Sequence, residues 1–426
     1  MKILCSGDLH LGRRSSRLPD GSDPRAHSAT AAWNALVQLA IDEEVALVAL
    51  SGDLVDRANR YFEAYGPLER GVARLAAAGI HVVAVAGNHD FDVLPRLAPS
   101  LGPSFHLLGR EGKWTGLNVP HGGGTALRVV GWSFPTEHVT EPPLASFPAL
   151  SPSEVPVLGL VHGDLDVPSS RYAPLDSGEL RRKPVAFWLL GHVHGPRLRE
   201  HPGAAPLLYP GTPQALAPGE TGVHGAWLLE LVPGRIPRAR PVPLSSVRYD
   251  NVEVDVDGVA EAETLDRRVA EGVRAHLQSV VEAGCGPLRY LLCQVRVTGR
   301  TPLHRTIEPR LRAAVVDLDA EHGEVRARAE RIHAATRPAA DLHALAATPD
   351  APGVLARLVL AIDGGRFDPP QERLVTELAS RAAEVRRARP YQALAEPDTS
   401  AEALQALARR QALLLLDELL RQKEAA

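Results

Sequence analysis

Hydrophobic residues in the first half of the chain come in short unbroken runs rather than alternating with polar ones. They are KILCS at 2–6, VALVALS at 45–51, HVVAVA at 81–86, VPVLGLV at 155–161 and VAFWLL at 185–190. Unbroken runs of this length predict strands buried on both faces. Between the first two, Trp33, Leu36, Val37, Ala40 and Ile41 share one helical face. Leu68, Val72 and Leu75 repeat that spacing before Gly79, a suitable helix C-cap. Strand and helix in alternation predict a layered α/β domain, whose functional groups collect beyond the carboxyl ends of the strands.

The pattern changes after the Pro- and Arg-rich stretch LVPGRIPRARPVPL at 231–244. It then reads strand (251–256), helix (about 262–282), strand (288–297), helix (about 304–320) and strand (324–332), which predicts a small α+β domain. From about Pro338 the segments are helical, divided by breakers such as DGGRFDPP at 363–370. The last helix opens with a capping box, Thr399 and Glu402, and runs into QALLLLDELL. That stretch is apolar over too broad an arc for a lone exposed helix. Its surplus face either packs on this chain or serves a partner. The resulting division is 1–246, 247–337 and 338–426.

Composition narrows the picture only slightly. With 45% hydrophobic and 23% charged residues, the chain has globular composition. A net charge of −4 excludes a generally basic, nucleic-acid-coating protein, so any DNA contact must rest on a local patch. Cys5, Cys285 and Cys293 have no metal-knuckle or disulfide spacing and are expected to be packing residues. MKILCSGDLHLG turns polar within a few residues, and no apolar run reaches a membrane span. The expectation is a soluble, cytoplasmic protein with no membrane association.

The chemistry lies where the buried runs stop. The first ends in Asp8 and His10, the second in Asp53, the third in Asn88, His89 and Asp90, the fourth in His162, and the fifth in His192 and His194. Each group stands beside a glycine, which permits a tight turn and close approach of a ligand. If the chain stays extended there, Asp8/His10 and His192/His194 point the same way and act as pincers. Three oxygen donors and four histidines, with His89 left over, exceed what one structural zinc takes. Nitrogen and oxygen ligands without thiolate suit manganese, iron or zinc. Seven ligands suffice for two ions with one bridging carboxylate. Two ions about 3.5–4 Å apart stabilise an in-line displacement at phosphorus and acidify a bound water. Phosphoester hydrolysis is the chemistry implied. The bland alternative of satisfied core or loop polar residues fits a single histidine, but not an ordered set at five strand ends. His27, His81, His106, His121, His138 and His224 lack motif partners and are not assigned to the site.

In this order, DxH, GDxxD, GNHD, VHGD and GHVH resemble the calcineurin-like metallophosphoesterase superfamily. The resemblance implies a layered β-sandwich flanked by helices, followed by an α+β cap and a helical C-terminal tail. It also implies one ion on Asp8, His10, Asp53 and His194 and another on Asp53, Asn88, His162 and His192, with Asp53 bridging. His89 would stand by the scissile phosphate, and Asp90 would orient its imidazole.

LHLG after the first motif, HGDLDVPSSRYAPL at 162–175 and YPGTPQALAPGETGVHGAWLLEL at 209–231 are similar to the SbcD/YhaO-type DNA-repair exonucleases. That branch implies a manganese-dependent DNA exonuclease, with Fe2+ or Zn2+ as other metals. It implies DNA as substrate, an SbcC-type coiled-coil ATPase at the tail, and a homodimer. Arg13, Arg14 and Arg17 after the first motif, and Arg57 and Arg60 after the second, are candidates for phosphates flanking the scissile one. The competing expectations are a phosphatase or small-molecule phosphodiesterase, since GDLVDR resembles the phosphatase signature GDxVDRG with Ala58 in place of its last glycine, and a non-catalytic scaffold.

Overall fold

The computed structural model describes residues 1–56, 62–121, 124–150, 155–231, 237–304, 306–314, 318–387 and 401–425. The chain starts with β1 (Lys2–Ser6), α1 (Ala29–Asp42), β2 (Leu47–Leu50), α2 (Phe62–Ala77), β3 (His81–Ala84), α3 (Leu94–Leu97) and β4 (Phe105–Leu107). There follow β5 (Thr115–His121), β6 (Gly124–Trp132), β7 (Val157–His162), α4 (Ser177–Arg182), β8 (Phe187–Gly191), β9 (Arg197–Arg199) and β10 (Leu207–Tyr209). Next come β11 (Gly225–Glu230), β12 (Arg238–Pro243), β13 (Val247–Asp255), α5 (Ala262–Glu282), β14 (Tyr290–Thr298), β15 (Arg300–Thr301) and α6 (Ile307–Ala314). The last elements are β16 (Ala320–His322), β17 (Val325–Ala334), β18 (Arg337–Pro338), α7 (Leu342–Ala346), α8 (Ala351–Gly364), α9 (Pro369–Arg387) and α10 (Ala401–Ala425).

Two six-stranded sheets, in the orders β12-β11-β1-β2-β3-β4 and β5-β6-β7-β8-β10-β9, build the first part. The strands β1 to β4 run parallel, as do β6, β7, β8 and β10. Side chains on a strand alternate between faces, and here both faces are covered. Ile3 and Cys5 of β1, Leu47 and Ala49 of β2, and Leu158, Leu160, Phe187 and Leu189 of the second sheet meet in one core between the sheets. Leu4, Val48 and Leu50 face the opposite way, onto Trp33, Leu36 and Val37 of α1 and Leu68, Val72 and Leu75 of α2. Val161, Trp188 and Leu190 point to a third core that includes Leu180 of α4. Double-sided burial explains the unbroken apolar runs, and the layered α/β expectation holds.

Two details lie beyond the sequence reading. The five apolar runs divide three and two between the two sheets, with β4, β5 and β6 between them in chain order. The Pro-rich stretch also contributes to the fold. Residues 232–236 lie outside the described residues, but Arg238–Pro243 is a strand, paired antiparallel to β11 at the sheet edge. An outermost strand tolerates Pro241 and Pro243 because one of its sides needs no ladder donors.

The later strands form a four-stranded sheet, β13-β14-β17-β16, and α5 buries Leu265, Val269, Val273, Leu277 and Val280 at helical spacing. The chain divides into two compact units: Met1–Val252 with Ala270–Val295 and Ala314–Ile332, and Glu253–Val269 with Arg296–Ala313 and His333–Ala426. In the second unit α10 packs on α8, burying Leu404, Ala408, Ala412 and Leu416 and leaving Leu407 and Leu415 exposed. Thr399 of the expected capping box lies outside the described residues. Among the described residues no helix is long and apolar enough to cross a membrane.

Candidate metal centre

The carboxyl ends of β1, β2, β3, β7 and β8 converge on one cluster. Backbone bonds set the first two ends against each other: Asp8 N donates to Gly52 O at 2.9 Å and His10 N to Asp53 O at 3.0 Å. The pincers of an extended chain are not how the groups converge. Asp8 and His10 have φ of 48° and 47°, Asp53 has 51° and His192 has 99°. The strand has ended, and left-handed turns aim these side chains. Close approach also needs the flanking glycines. A Cβ on Gly87 would lie 2.2 Å from Asp53 Oδ1, and one on Gly191 would lie 2.5 Å from His162 Nδ1.

Side-chain atoms of all seven expected ligands meet here. His10 Nε2 and His194 Nε2 are 3.1 Å apart. His162 Nε2 and His192 Nδ1 each lie 3.1 Å from Asn88 Oδ1, and His162 Nε2 is 3.4 Å from Asp53 Oδ2. Asp8 accepts from His192 N at 3.0 Å, and Asp53 Oδ1 from His89 N at 2.8 Å. Asp8/His10/His194, His10/Asp53/His89 and Asp8/Asp53/His162 are each compact enough to hold an ion. His192 belongs to none of these triads and joins the cluster through Asn88.

The hydrogen-bond roles test whether cations fit. A neutral imidazole carries one proton. His162 donates its own from Nδ1 to Ser51 O at 3.0 Å, and His194 donates from Nδ1 to Glu220 Oε1 at 2.7 Å. In the neutral rings both Nε2 atoms then present lone pairs, and these face an amide oxygen, a carboxylate oxygen or another imidazole nitrogen. Lone pairs facing one another in a buried site call for positive charge between them. Spacings near 3.1 Å match neighbouring ligands on an ion with bonds of about 2.0–2.2 Å at roughly right angles. The donor set fits divalent metal.

Electrostatics agree. Burial pushes the Asp8 carboxyl above its ordinary range, with His162 countering part of the effect. Burial acts the same way on Asp53, but the imidazoles of His162, His10 and His89 outweigh it and hold that carboxyl far below the usual range. Burial should depress His162, yet the Asp53 and Asp8 charges carry it up to about 9. Without metal, the two carboxylates draw a proton onto that imidazole.

His89 lies at the cluster's rim, its side chain 34% exposed, with its ring 4.8 Å from that of His10. Asp90 does not face the His89 ring nitrogen in the way expected. Its carboxylate accepts from the backbone amides of Leu54 at 2.7 Å, Gly87 at 2.8 Å and Val55 at 3.3 Å, pinning two loops together. The carboxylate beside His89 Nδ1 is Asp56, at 3.7 Å, which also lies 3.4 Å from His10 Nδ1. Asp56 was legible only as the second acid of GDLVD, three residues after Asp53. Asp164 Oδ1, 3.5 Å from His192 Nε2, and Glu220 were likewise missed. Their signal lay in HGDLD and YPGTPQALAPGE, read only as likenesses to a family. Arg13 follows His10 in a tight turn, its amide donating to His10 O at 3.0 Å, and Arg14 is exposed. Arg17 pairs with Glu330 at 3.2 Å, while Arg57 and Arg60 lie outside the described residues.

Comparison with known proteins adds the following. Residues 1–196 match the family of calcineurin-like phosphoesterases, and 249–343 match the middle domain of metallophosphoesterase YhaO. The chain is 27% identical over 261 residues to the uncharacterized metallophosphoesterase YhaO of Bacillus subtilis (strain 168), covering 55% of this chain and 59% of that protein. It therefore spans less than two thirds of that relative. It is 28% identical over 289 residues to the DNA double-strand break repair protein Mre11 of Aeropyrum pernix, covering 64% of this chain and 69% of that one. Among solved structures, a dimetal phosphatase from Danio rerio aligns at 16% identity and a TM-score of 0.37, over 57% of this chain and 96% of that one. The protein TT1561 of Thermus thermophilus aligns at 18% identity and a TM-score of 0.35, over 56% and 98%. Asp8, His10, Asp53, Asn88, His162, His192 and His194 thus all converge within the stretch, 1–196, that matches the calcineurin-like phosphoesterase family.

Proposed function

We propose that the chain is a metal-dependent DNA nuclease, an exonuclease acting in DNA repair or end processing, with manganese as the preferred metal and Fe2+ or Zn2+ as substitutes. The observation that carries the hydrolytic part is that Nδ1 of His162 and of His194 each rests on an oxygen acceptor, Ser51 O and Glu220 Oε1, which turns both Nε2 atoms into the cluster of buried carboxylates. In this reading Asp8, His10, Asp53 and His194 hold one ion, and Asp53, Asn88, His162 and His192 the other. When bound, the ions neutralise charge developing on the phosphoryl oxygens and supply hydroxide at neutral pH. The chain's own part is to place and protonate. With Asp56 beside Nδ1 to support the charged form, the His89 imidazolium donates from Nε2 to the phosphate and passes that proton to the leaving oxygen, returning to a neutral ring with its remaining proton on Nδ1. Arg13 and Arg14 take flanking phosphates.

Likeness to the archaeal Mre11, a DNA double-strand break repair protein by name, favours DNA over a smaller ester. The division into 1–246, 247–337 and 338–426, a coiled-coil ATPase of the SbcC type at the helical tail, a homodimer and a cytoplasmic location belong to the same proposal. A second reading, a phosphatase or small-molecule phosphodiesterase, is favoured by Asp56: it stands next to His89 from a GDLVDR segment like the phosphatase signature. One assay separates the two. With manganese, linear duplex DNA is expected to be degraded alongside bis-p-nitrophenyl phosphate. Hydrolysis of the small ester with DNA left intact, whether or not an ATPase partner is present, would overturn the nuclease reading.

A further inference from the structure

The loop between β10 and β11 carries an acid that touches the metal centre from behind. Glu220 is 9% exposed, and its Oε1 lies 2.7 Å from Nδ1 of His194, the ring nitrogen turned away from the cluster. Its other oxygen is held as well. The Leu216 amide donates to Oε2 at 2.6 Å and the Thr212 hydroxyl at 3.5 Å, while that hydroxyl is also 2.9 Å from His224 Nδ1. A carboxylate held on both oxygens cannot follow the imidazole, so the imidazole follows it.

The loop is itself fastened on both sides. Thr212 N donates to His194 O at 3.0 Å. Gly211, at φ 74°, makes that approach possible, since a Cβ there would lie 2.5 Å from the same carbonyl. Downstream, Gly222 N donates to Tyr249 O at 3.0 Å, and Ala215 N donates to Ser245 Oγ at 3.1 Å. By contrast, the Nδ1 proton of His162 goes to a backbone carbonyl, Ser51 O. The two halves of the centre are thus supported differently, one by main chain and one by a side chain.

We infer that Glu220 is a positioning residue, which by accepting the Nδ1 proton of His194 holds the imidazole in the tautomer and rotamer that offer Nε2 to the ion shared with Asp8 and His10. The inference rests on the two-metal reading of this site. An imidazole without that acceptor can carry its proton on Nε2, 3.1 Å from His10 Nε2, where it blocks the ligand position. Carboxylate partners of this kind are worth about 10–100-fold in metal affinity.

The test is a manganese titration of the full chain, read by calorimetry and electron paramagnetic resonance. The unaltered chain is expected to take two ions. Glu220→Ala should weaken one of them about 10–100-fold and spare the other. Glu220→Gln, which keeps an oxygen acceptor, should restore most of the lost affinity. Nitrogen-15 NMR of the metal-free chain under alkaline conditions gives a readout that no variant's folding can obscure, with the His194 proton expected on Nδ1. Unchanged affinities in Glu220→Ala, equal loss of both ions without rescue by Glu220→Gln, or a wild-type proton on Nε2 would each overturn the role of Glu220. A wild-type chain that takes up no manganese would instead sink the two-metal reading and this role with it.

Discussion

Four of the seven candidate ligands hold a backbone conformation that side chains normally avoid: Asp8, His10, Asp53 and His192 all have positive φ. Each such residue costs about 1–3 kcal/mol and persists only where the surroundings over-determine it. Here the restraints are explicit, with the amides of Asp8 and His10 bonded to the loop after β2 and that of His192 to the Asp8 carboxylate. The backbone placement of these ligands therefore does not depend on the His89 imidazole. His89→Ala is accordingly expected to keep both ions while turnover falls by about 10²–10⁴-fold, the usual contribution of a positioned acid or base. Asp53→Ala should disturb both ions. Metal analysis of the two purified variants beside single-turnover rates checks this, and loss of both ions in His89→Ala would show that the imidazole has been misassigned.

At the scale of elements, the strand ends matter through what holds them. The loop carrying Glu220 is tied to β13, where Asp250 accepts from Gly222 N at 3.2 Å and receives His276 Nε2 at 2.7 Å and Arg248 Nε at 3.0 Å. Burial would raise the Asp250 carboxyl, but the hydrogen bonds from His276 and Arg248 prevail and lower it. A carboxyl whose pKa is lower when folded contributes stability above its unfolded pKa of about 3.9 and loses it as pH falls through the folded value. Asp250→Asn should therefore cost about 1–3 kcal/mol at neutral pH, as expected for bonds to a charged acceptor. The gap to the wild-type chain should close below about pH 4. Urea unfolding at several pH values measures it, and a gap that persists in acid would mean that packing rather than charge stabilises this junction.

For the molecule as a whole, metal and fold are linked. The seven candidate ligands, drawn from five strand ends and two sheets, come together only when the sandwich is formed, so ions held there would bind the folded chain and not the unfolded one. Manganese at about 100 times its dissociation constant should raise stability by about 2.7 kcal/mol per site. Chelation should lower the unfolding midpoint by the corresponding amount. Identical thermal unfolding with and without chelator would mean that the cluster does not bind metal at the concentrations used. The tail stands apart from this linkage. Leu404, Ala408, Ala412 and Leu416 bury one face of α10, which packs on α8, while Leu407 and Leu415 remain exposed.

How much was legible in advance depended on the range over which each interaction acts. Unbroken apolar runs ending in Gly-flanked acids, amides and imidazoles specify buried strands and their chemistry locally. The layered fold, all seven converging residues and the α5 span of 262–282 could therefore be read from one dimension. The distribution of five strands over two sheets could not, because unbroken burial looks the same in either. Nor could the recruitment of Arg238–Pro243 as an edge strand, since its pairing partner is β11 and its own pattern is polar and Pro-rich. The carboxylates behind the histidines were also hidden. Glu220 lies 26 positions from His194, and Asp56 lies 33 from His89, where Asp90 stands adjacent in sequence but turns to the backbone. Sequence alone determined which chemical groups stand at the strand ends. Only the tertiary structure decided which carboxylate faces which imidazole nitrogen, because proton placement and ring orientation are set by contacts between segments far apart along the chain.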